Sequence, residues 1–140
     1  MKTLSKTELL TKEAVQIVPV EFEDGTGVYV RSMTAFEKDA FEQSLRIEVK
    51  NKKGETSFEL SLGNFRAKLA VNTICDEKGD LILTTQDFLN LSKNMSAGRM
   101  EQIVNAAQKL NAITEEDKED ILKNSVAGEA GNSNSDSVEN

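Results

Sequence analysis

The residues best suited to binding a metal ion form one short acidic segment, Asp76-Glu77-Lys78-Gly79-Asp80. A calcium-binding loop needs oxygen ligands at alternating positions, a central glycine and a distant glutamate that binds through both of its oxygens. Here the cation Lys78 occupies one of the alternating positions, and Asp87 stands where the distant glutamate would be. The pattern therefore favours a solvent-exposed turn over a metal site.

A second group of carboxylates, Glu115-Glu116-Asp117 with Glu119-Asp120, has the residue types needed for acid–base catalysis. That chemistry requires a shaped and partly dry pocket, whereas acidic residues at the start of a helix commonly just stabilise the helix dipole. The chain also contains no histidine, which is the commonest general base and metal ligand. We therefore expect a protein without catalytic residues, cofactor or metal.

The single cysteine, Cys75, follows an apolar residue and precedes two acidic ones. A reactive thiol needs cationic neighbours, so we expect Cys75 to be buried and inert. One cysteine forms no intramolecular disulfide, which fits a reducing cytoplasm. The first residues lack the continuous apolar stretch of a signal peptide, and no run approaches the roughly 18 apolar residues of a membrane span. We expect a soluble, cytoplasmic protein.

The length of 140 residues predicts one domain, and few aromatic residues predict a mostly aliphatic core. The formal net charge is -7. Such a surface repels the phosphates of nucleic acids, whose binding depends on clusters of Lys and Arg. It also repels anionic membranes. We therefore expect neither nucleic acid nor membrane as a partner.

The beginning of the chain predicts an arm followed by a β-hairpin. Residues 1–14 are mostly polar and indicate either a flexible arm or one weak helix. From Val15 onward, β-branched residues flank a glycine-containing turn at residues 23–27, which is typical of a hairpin. Pro19 has no backbone N–H to donate, so the first strand lies at a sheet edge or begins after this residue.

Thr34 and Glu37 have the spacing of a capping box, in which each side chain accepts from the backbone N–H of the other residue. A helix is expected to follow, with Phe36, Ala40, Phe41 and Leu45 on one face. Its end is ambiguous. The helix either ends near residue 46 and a second hairpin follows, or it continues to about residue 51. We favour a helix through Leu45 with a loop or weak strands over residues 47–60.

The second half of the chain predicts four more helices. They run from Leu62 or Gly63 to Cys75, over a short segment capped at Thr84, from Ala97 to about Asn111, and from Thr114 to about Asn124. The third of these carries an apolar stripe with the spacing of an amphipathic helix. We expect a partner to bind helical apolar surface rather than the acidic turn, with Met100, Ile103 and Val104 as candidates if they are exposed.

The predicted fold is mainly α with some β (α+β): an N-terminal β-hairpin followed by about five short-to-medium helices. The domain spans residues 15–126, after the arm of residues 1–14. Residues 127–140 are rich in Gly, Ser and Asn, and they contain too little apolar surface to offset the entropy of ordering. We expect this tail to be disordered.

The order and spacing of several segments resemble those of the tail assembly chaperones of long-tailed (siphovirus-type) bacteriophages and prophages. The resemblance covers about Val18 to Ser125, and each segment taken singly is only a cap, a turn or an amphipathic stripe. The segments are VRSMTAFEKDAFE at residues 30–42, NFRAKL at 64–69, CDEKGDLI at 75–82, AAQKLNAITEED at 106–117 and KNS at 123–125.

This resemblance implies a non-catalytic protein that binds the tape measure protein, keeps it soluble and helps to recruit the tail tube protein. It implies a location in the host bacterial cytoplasm and absence from the mature virion. Members are often made in a second, longer form by ribosomal frameshifting, and Leu122-Lys123-Asn124 permits a slippery codon sequence at the end of the last expected helix. The alternative is a small bacterial cytoplasmic adaptor or regulatory protein that also binds proteins through helices.

Truncation after Val126 is expected to leave the thermal unfolding midpoint nearly unchanged, because the removed tail has one sizeable apolar side chain, Val138. Circular dichroism during heating measures the midpoint. A drop of many degrees would show that the tail packs on the domain.

Overall fold

The computed structural model describes residues 1–60 and 64–113. Two small sheets and several helices confirm an α+β fold for the described part, but this part is mixed rather than mainly α as predicted. The elements are α1 (Lys6–Leu10), β1 (Ile17–Glu21), β2 (Gly27–Arg31), α2 (Ala35–Ser44), β3 (Arg46–Lys50), β4 (Thr56–Leu60), α3 (Phe65–Val71), β5 (Ile74–Cys75), α4 (Phe88–Asn94) and α5 (Ala97–Leu110).

The N-terminal hairpin is confirmed. Strands β1 and β2 pair antiparallel, with Val18 opposite Val30 and Val20 opposite Val28. The strand order β1-β2-β5 places Pro19 on an edge strand, where its missing N–H does not interrupt a ladder between two neighbours. Before the hairpin, the arm contains the five-residue helix α1, whose residues are all exposed.

Helix α2 begins at the predicted capping box, but its apolar face is narrower than expected. Phe41 and Leu45 are buried, whereas Phe36 is 83% exposed. Phe36 and Phe41 are five residues apart, which separates them by about 140° around a helix. Ala40 is also exposed, so the expectation that Phe36 and Ala40 share the buried face is wrong.

Helix α2 ends at Ser44, and β3 and β4 then form a regular antiparallel hairpin. This is the second hairpin that the sequence left open, and it is more regular than the favoured loop or weak strands. Its turn is closed by Asn51, whose side-chain oxygen accepts from the backbone N–H groups of Lys53 and Glu55 at 2.9 and 3.0 Å.

The helix expected to reach Cys75 ends four residues earlier, at Val71. The Thr73 hydroxyl donates to the carbonyl of Leu69 at 2.7 Å, and the next two residues form β5. Pairing of β5 with β2 uses the backbone groups that a longer helix would have needed. The helix expected over residues 114–124 and the tail lie outside the described residues.

Helix α5 forms the centre of the core. It begins after the predicted N-cap Ser96, packs on α3, and covers one face of the β1-β2-β5 sheet. The sheet contributes inward-facing valines and Ile74, and α3 contributes Leu69 and Ala70. The apolar stripe of α5 is therefore used within the domain.

Two glycine-to-alanine changes test the tightness of this fold. A Cβ at Gly27 would lie 2.3 Å from the backbone oxygen of Val20, which has no flexible end to move away. Gly27→Ala is expected to lower the free energy of unfolding by about 1–3 kcal/mol. Gly98, in α5, has nothing within 4 Å of the same position. Gly98→Ala is expected to be neutral or stabilising by up to about 1 kcal/mol. Urea unfolding measures both, and equal effects would contradict this assignment.

Candidate protein-binding surface

The three residues expected to bind a partner are not on the surface. Met100, Ile103 and Val104 are only 7%, 0% and 2% exposed. They face the sheet and α3, because this stripe is the side of α5 that forms the core. The expectation of partner binding depended on their exposure, so the binding surface has to lie elsewhere.

A row of apolar residues lies on the opposite, outer face of the β1-β2-β5 sheet. The strand register places Pro19 opposite Tyr29 and Tyr29 opposite Cys75. An isolated bridge continues this row from Cys75 to Leu81. Because directly opposed residues point to the same side of a sheet, four apolar residues form one row across it. We call this row, Pro19-Tyr29-Cys75-Leu81, the sheet row.

The sheet row is accessible at three of its four positions. Tyr29 and Leu81 are 39% and 38% exposed, and Pro19 is also exposed. A shallow cavity of about 260 Å³ lies at one end, lined by Pro19, Tyr29, Glu21 and Gly27 among others. In the described part of the chain the helix that packs extensively on this sheet is α5, and it occupies the inner face. The sheet row is therefore left open to a partner.

Cys75 is the buried member of the row, as the sequence predicted. Burial raises the pKa of its thiol above the ordinary value, and the nearby charge of Arg31 only partly opposes this effect. A thiol with a raised pKa is a poor nucleophile at neutral pH. Cys75 therefore acts as an apolar side chain in this row and not as a reactive thiol.

One end of the outer face is closed by an ion pair between a buried arginine and a partly exposed glutamate. Arg31 is 8% exposed, and its Nη2 lies 2.5 Å from Oε2 of Glu37. The other guanidinium nitrogen, Nη1, donates to the carbonyl of Gly79 at 3.0 Å. Glu37 uses its second oxygen to accept from the backbone N–H of Thr34, completing the capping box of α2. The pair thus joins β2, α2 and the acidic turn.

The acidic turn itself is confirmed as a turn. The Asp76 carboxylate accepts from the backbone N–H groups of Lys78 and Asp80 at 2.8 and 3.0 Å. The bond from Asp80 is the main reason why the pKa of Asp76 lies below its ordinary value. Gly79 has a φ of +92°, and a Cβ there would lie 2.7 Å from a methyl carbon of Val15. Within residues 1–60 and 64–113, no group of three or more metal-ligating side chains is arranged around a common point.

Sequence reasoning missed the sheet row, although signals for it were present. Tyr29 alternates with Val28 and Val30 in a strand, which predicts that it points away from the valines. Leu81 belongs to a short apolar segment after the turn. No local pattern, however, places residues 75 and 81 beside Tyr29, because that neighbourhood depends on long-range strand pairing.

Comparison with known proteins found no match among family models, curated proteins or solved structures. Among the helices of the described residues, none is long and apolar enough to cross a membrane.

Replacement of Glu37 by Gln is expected to lower the free energy of unfolding by about 1–3 kcal/mol, because it removes the anion that compensates the buried Arg31. The glutamine can still accept from Thr34, so the helix cap is retained. Glu42→Gln is the matched control, since Glu42 lies on the same helix and takes part in none of the ion pairs of the described residues. Urea unfolding compares the two variants, and equal stabilities would contradict the role given to the Arg31–Glu37 pair.

Proposed function

We propose that this protein is a phage tail assembly chaperone that binds the tape measure protein through the sheet row. In this role it keeps the tape measure soluble and promotes assembly of the tail tube around it, without catalysis. The observation that carries the proposal is an apolar row, exposed at Pro19, Tyr29 and Leu81, on a face that no helix of the described residues occupies extensively. The order and spacing of the sequence segments support the choice of partner.

The physical properties of the chain suit this role. A tape measure protein is a long, largely helical chain, and its apolar stripes need cover before the tube encloses them. A helix can lie on an open apolar face and bury its stripe there. The net charge of -7 favours solubility of the complex by electrostatic repulsion between copies. A row of only a few exposed side chains also favours weak binding, which allows the tail tube protein to displace the chaperone.

The proposal places the protein in the host bacterial cytoplasm during assembly and leaves it out of the mature virion. It also includes the tail tube protein as a second partner. A longer form made by frameshifting near Leu122-Lys123-Asn124 would carry the same sheet row, since that site lies after it in the chain.

Co-expression with the tape measure protein of the same tail gene cluster tests the proposal. The wild-type chain is expected to move most of the tape measure into the soluble fraction. A Tyr29→Thr and Leu81→Thr double variant is expected to lose this effect, because it removes the two largest exposed side chains of the row while keeping residues suited to strands. Circular dichroism confirms that the variant is folded.

The matched control is Leu89→Thr. Leu89 is 49% exposed on α4, which packs on α3 rather than on the sheet. This variant is expected to solubilise the tape measure as well as the wild type does. A folded double variant with full activity would overturn the assignment of the sheet row, and a tape measure that stays insoluble with the wild-type chain would overturn the proposed function.

A further inference from the structure

The β3–β4 hairpin stands apart from the rest of the domain. It forms its own two-stranded sheet, and its main contact with another described element is that of β3 with α2, the helix directly before it. An isolated two-stranded hairpin is only marginally stable in water. Pairing with an additional strand would therefore stabilise this hairpin.

The backbone geometry shows which groups of β3 are available to such a strand. Asn51 donates its N–H to the carbonyl of Glu55 at 3.0 Å, just beyond the last pair of the ladder. Residues bonded to the partner strand alternate with residues whose N–H and C=O point away from it. Counting back from Asn51, the outward groups of β3 belong to Arg46, Glu48 and Lys50.

The side chains of the same three residues share one face of the hairpin, since they alternate along the strand. Each is exposed, and in the part of the chain that the structure describes none of them forms an ion pair. Their charges alternate as positive, negative, positive. The other face carries the β-branched Ile47 and Val49, and Ile47 is 43% exposed.

We propose that two copies of this protein pair through antiparallel β3 strands, with a twofold axis at Val49. Glu48 of each copy then lies opposite Lys50 of the second copy. Both residues have outward backbone groups, so each such pair exchanges two backbone hydrogen bonds and brings opposite charges together. The result is a continuous sheet in the order β4-β3-β3-β4, in which the two Val49 side chains face each other.

Charge and shape select this register from the three that pair outward residues of β3 with each other at least twice. It also brings Arg46 opposite Lys52, but Lys52 lies in the turn beyond the end of the strand. An axis at Glu48 places Glu48 opposite Glu48 and Arg46 opposite Lys50, and like charges directly opposed are destabilising. An axis at Ile47 pairs Arg46 with Glu48. However, it runs the turn of the second copy alongside the last residues of α2. With the axis at Val49, the turn of the second copy lies alongside the first residues of β3 instead.

This pairing does not involve the sheet row, which lies on the other sheet. It is also smaller than the standard protein interface of about 1,600 Å². We therefore expect a weak dimer whose population rises with protein concentration and falls with salt, since exposed ion pairs are screened. Binding of the tape measure is expected to be separable from dimer formation.

Charge-reversal variants test the pairing by sedimentation equilibrium of the full chain. Glu48→Lys places lysine opposite Lys50, and Lys50→Glu places glutamate opposite Glu48. Each variant alone is expected to raise the dimer dissociation constant about tenfold or more, because both symmetric pairs become repulsive. An equimolar mixture of the two is expected to restore dimers, since residues 48 and 50 of the two copies then again bring opposite charges together. The double variant E48K/K50E is expected to dimerise on its own.

Two controls fix the interface and its register. Glu59→Lys makes the same charge change on the other strand, and Arg46→Glu changes a residue that pairs with Glu48 only if the axis lies at Ile47. Both are expected to keep the dimer. Circular dichroism shows whether each variant is folded, and the restored mixture and double variant exclude misfolding as the cause of a loss.

Three results would overturn the proposal. They are a wild-type chain that stays monomeric at all concentrations, a folded mixture that forms no dimers, and loss of the dimer in Arg46→Glu.

Discussion

The Arg31–Glu37 ion pair is the interaction on which the arrangement of the outer face depends. It connects three segments that are distant in sequence: the end of β2, the first turn of α2 and, through Gly79, the acidic turn. A buried guanidinium without its carboxylate carries a large desolvation cost. The position of α2 relative to the sheet is therefore coupled to the turn that precedes Leu81. The pair also lies beside the sheet row, since Arg31 follows Tyr29 by two residues on β2.

Features encoded by neighbouring residues were predictable, and features that depend on distant pairing were not. The capping box of Thr34 and Glu37 needs only two residues three positions apart, and it correctly marks the start of α2. Strand β5 has only two residues, and its pairing partner Val30 lies 44 positions before Ile74. Within a local window, these residues continue the apolar pattern of the preceding helix, which explains the overlong helix that was expected.

Hydrophobic periodicity identifies a buried face but does not say what buries it. The stripe of Met100, Ile103 and Val104 has the pattern of a helix that packs against something, and in this chain the contact is the domain's own sheet. The opposite error occurred at Phe36, which was placed on the core side yet is largely exposed. A surface site such as the sheet row has no periodic signal of its own, because its members come from three separate segments.

Tyr29 has a further consequence that follows from its position and from the composition of the chain. It is the only tyrosine, and the sequence contains no tryptophan. The tyrosine absorbance band and the tyrosine fluorescence of this protein therefore originate from a single residue within the sheet row. Any molecule that covers this face changes the environment of that single phenol ring. The tyrosine signal of the unmodified protein therefore reports whether this face is covered, and no added label is needed.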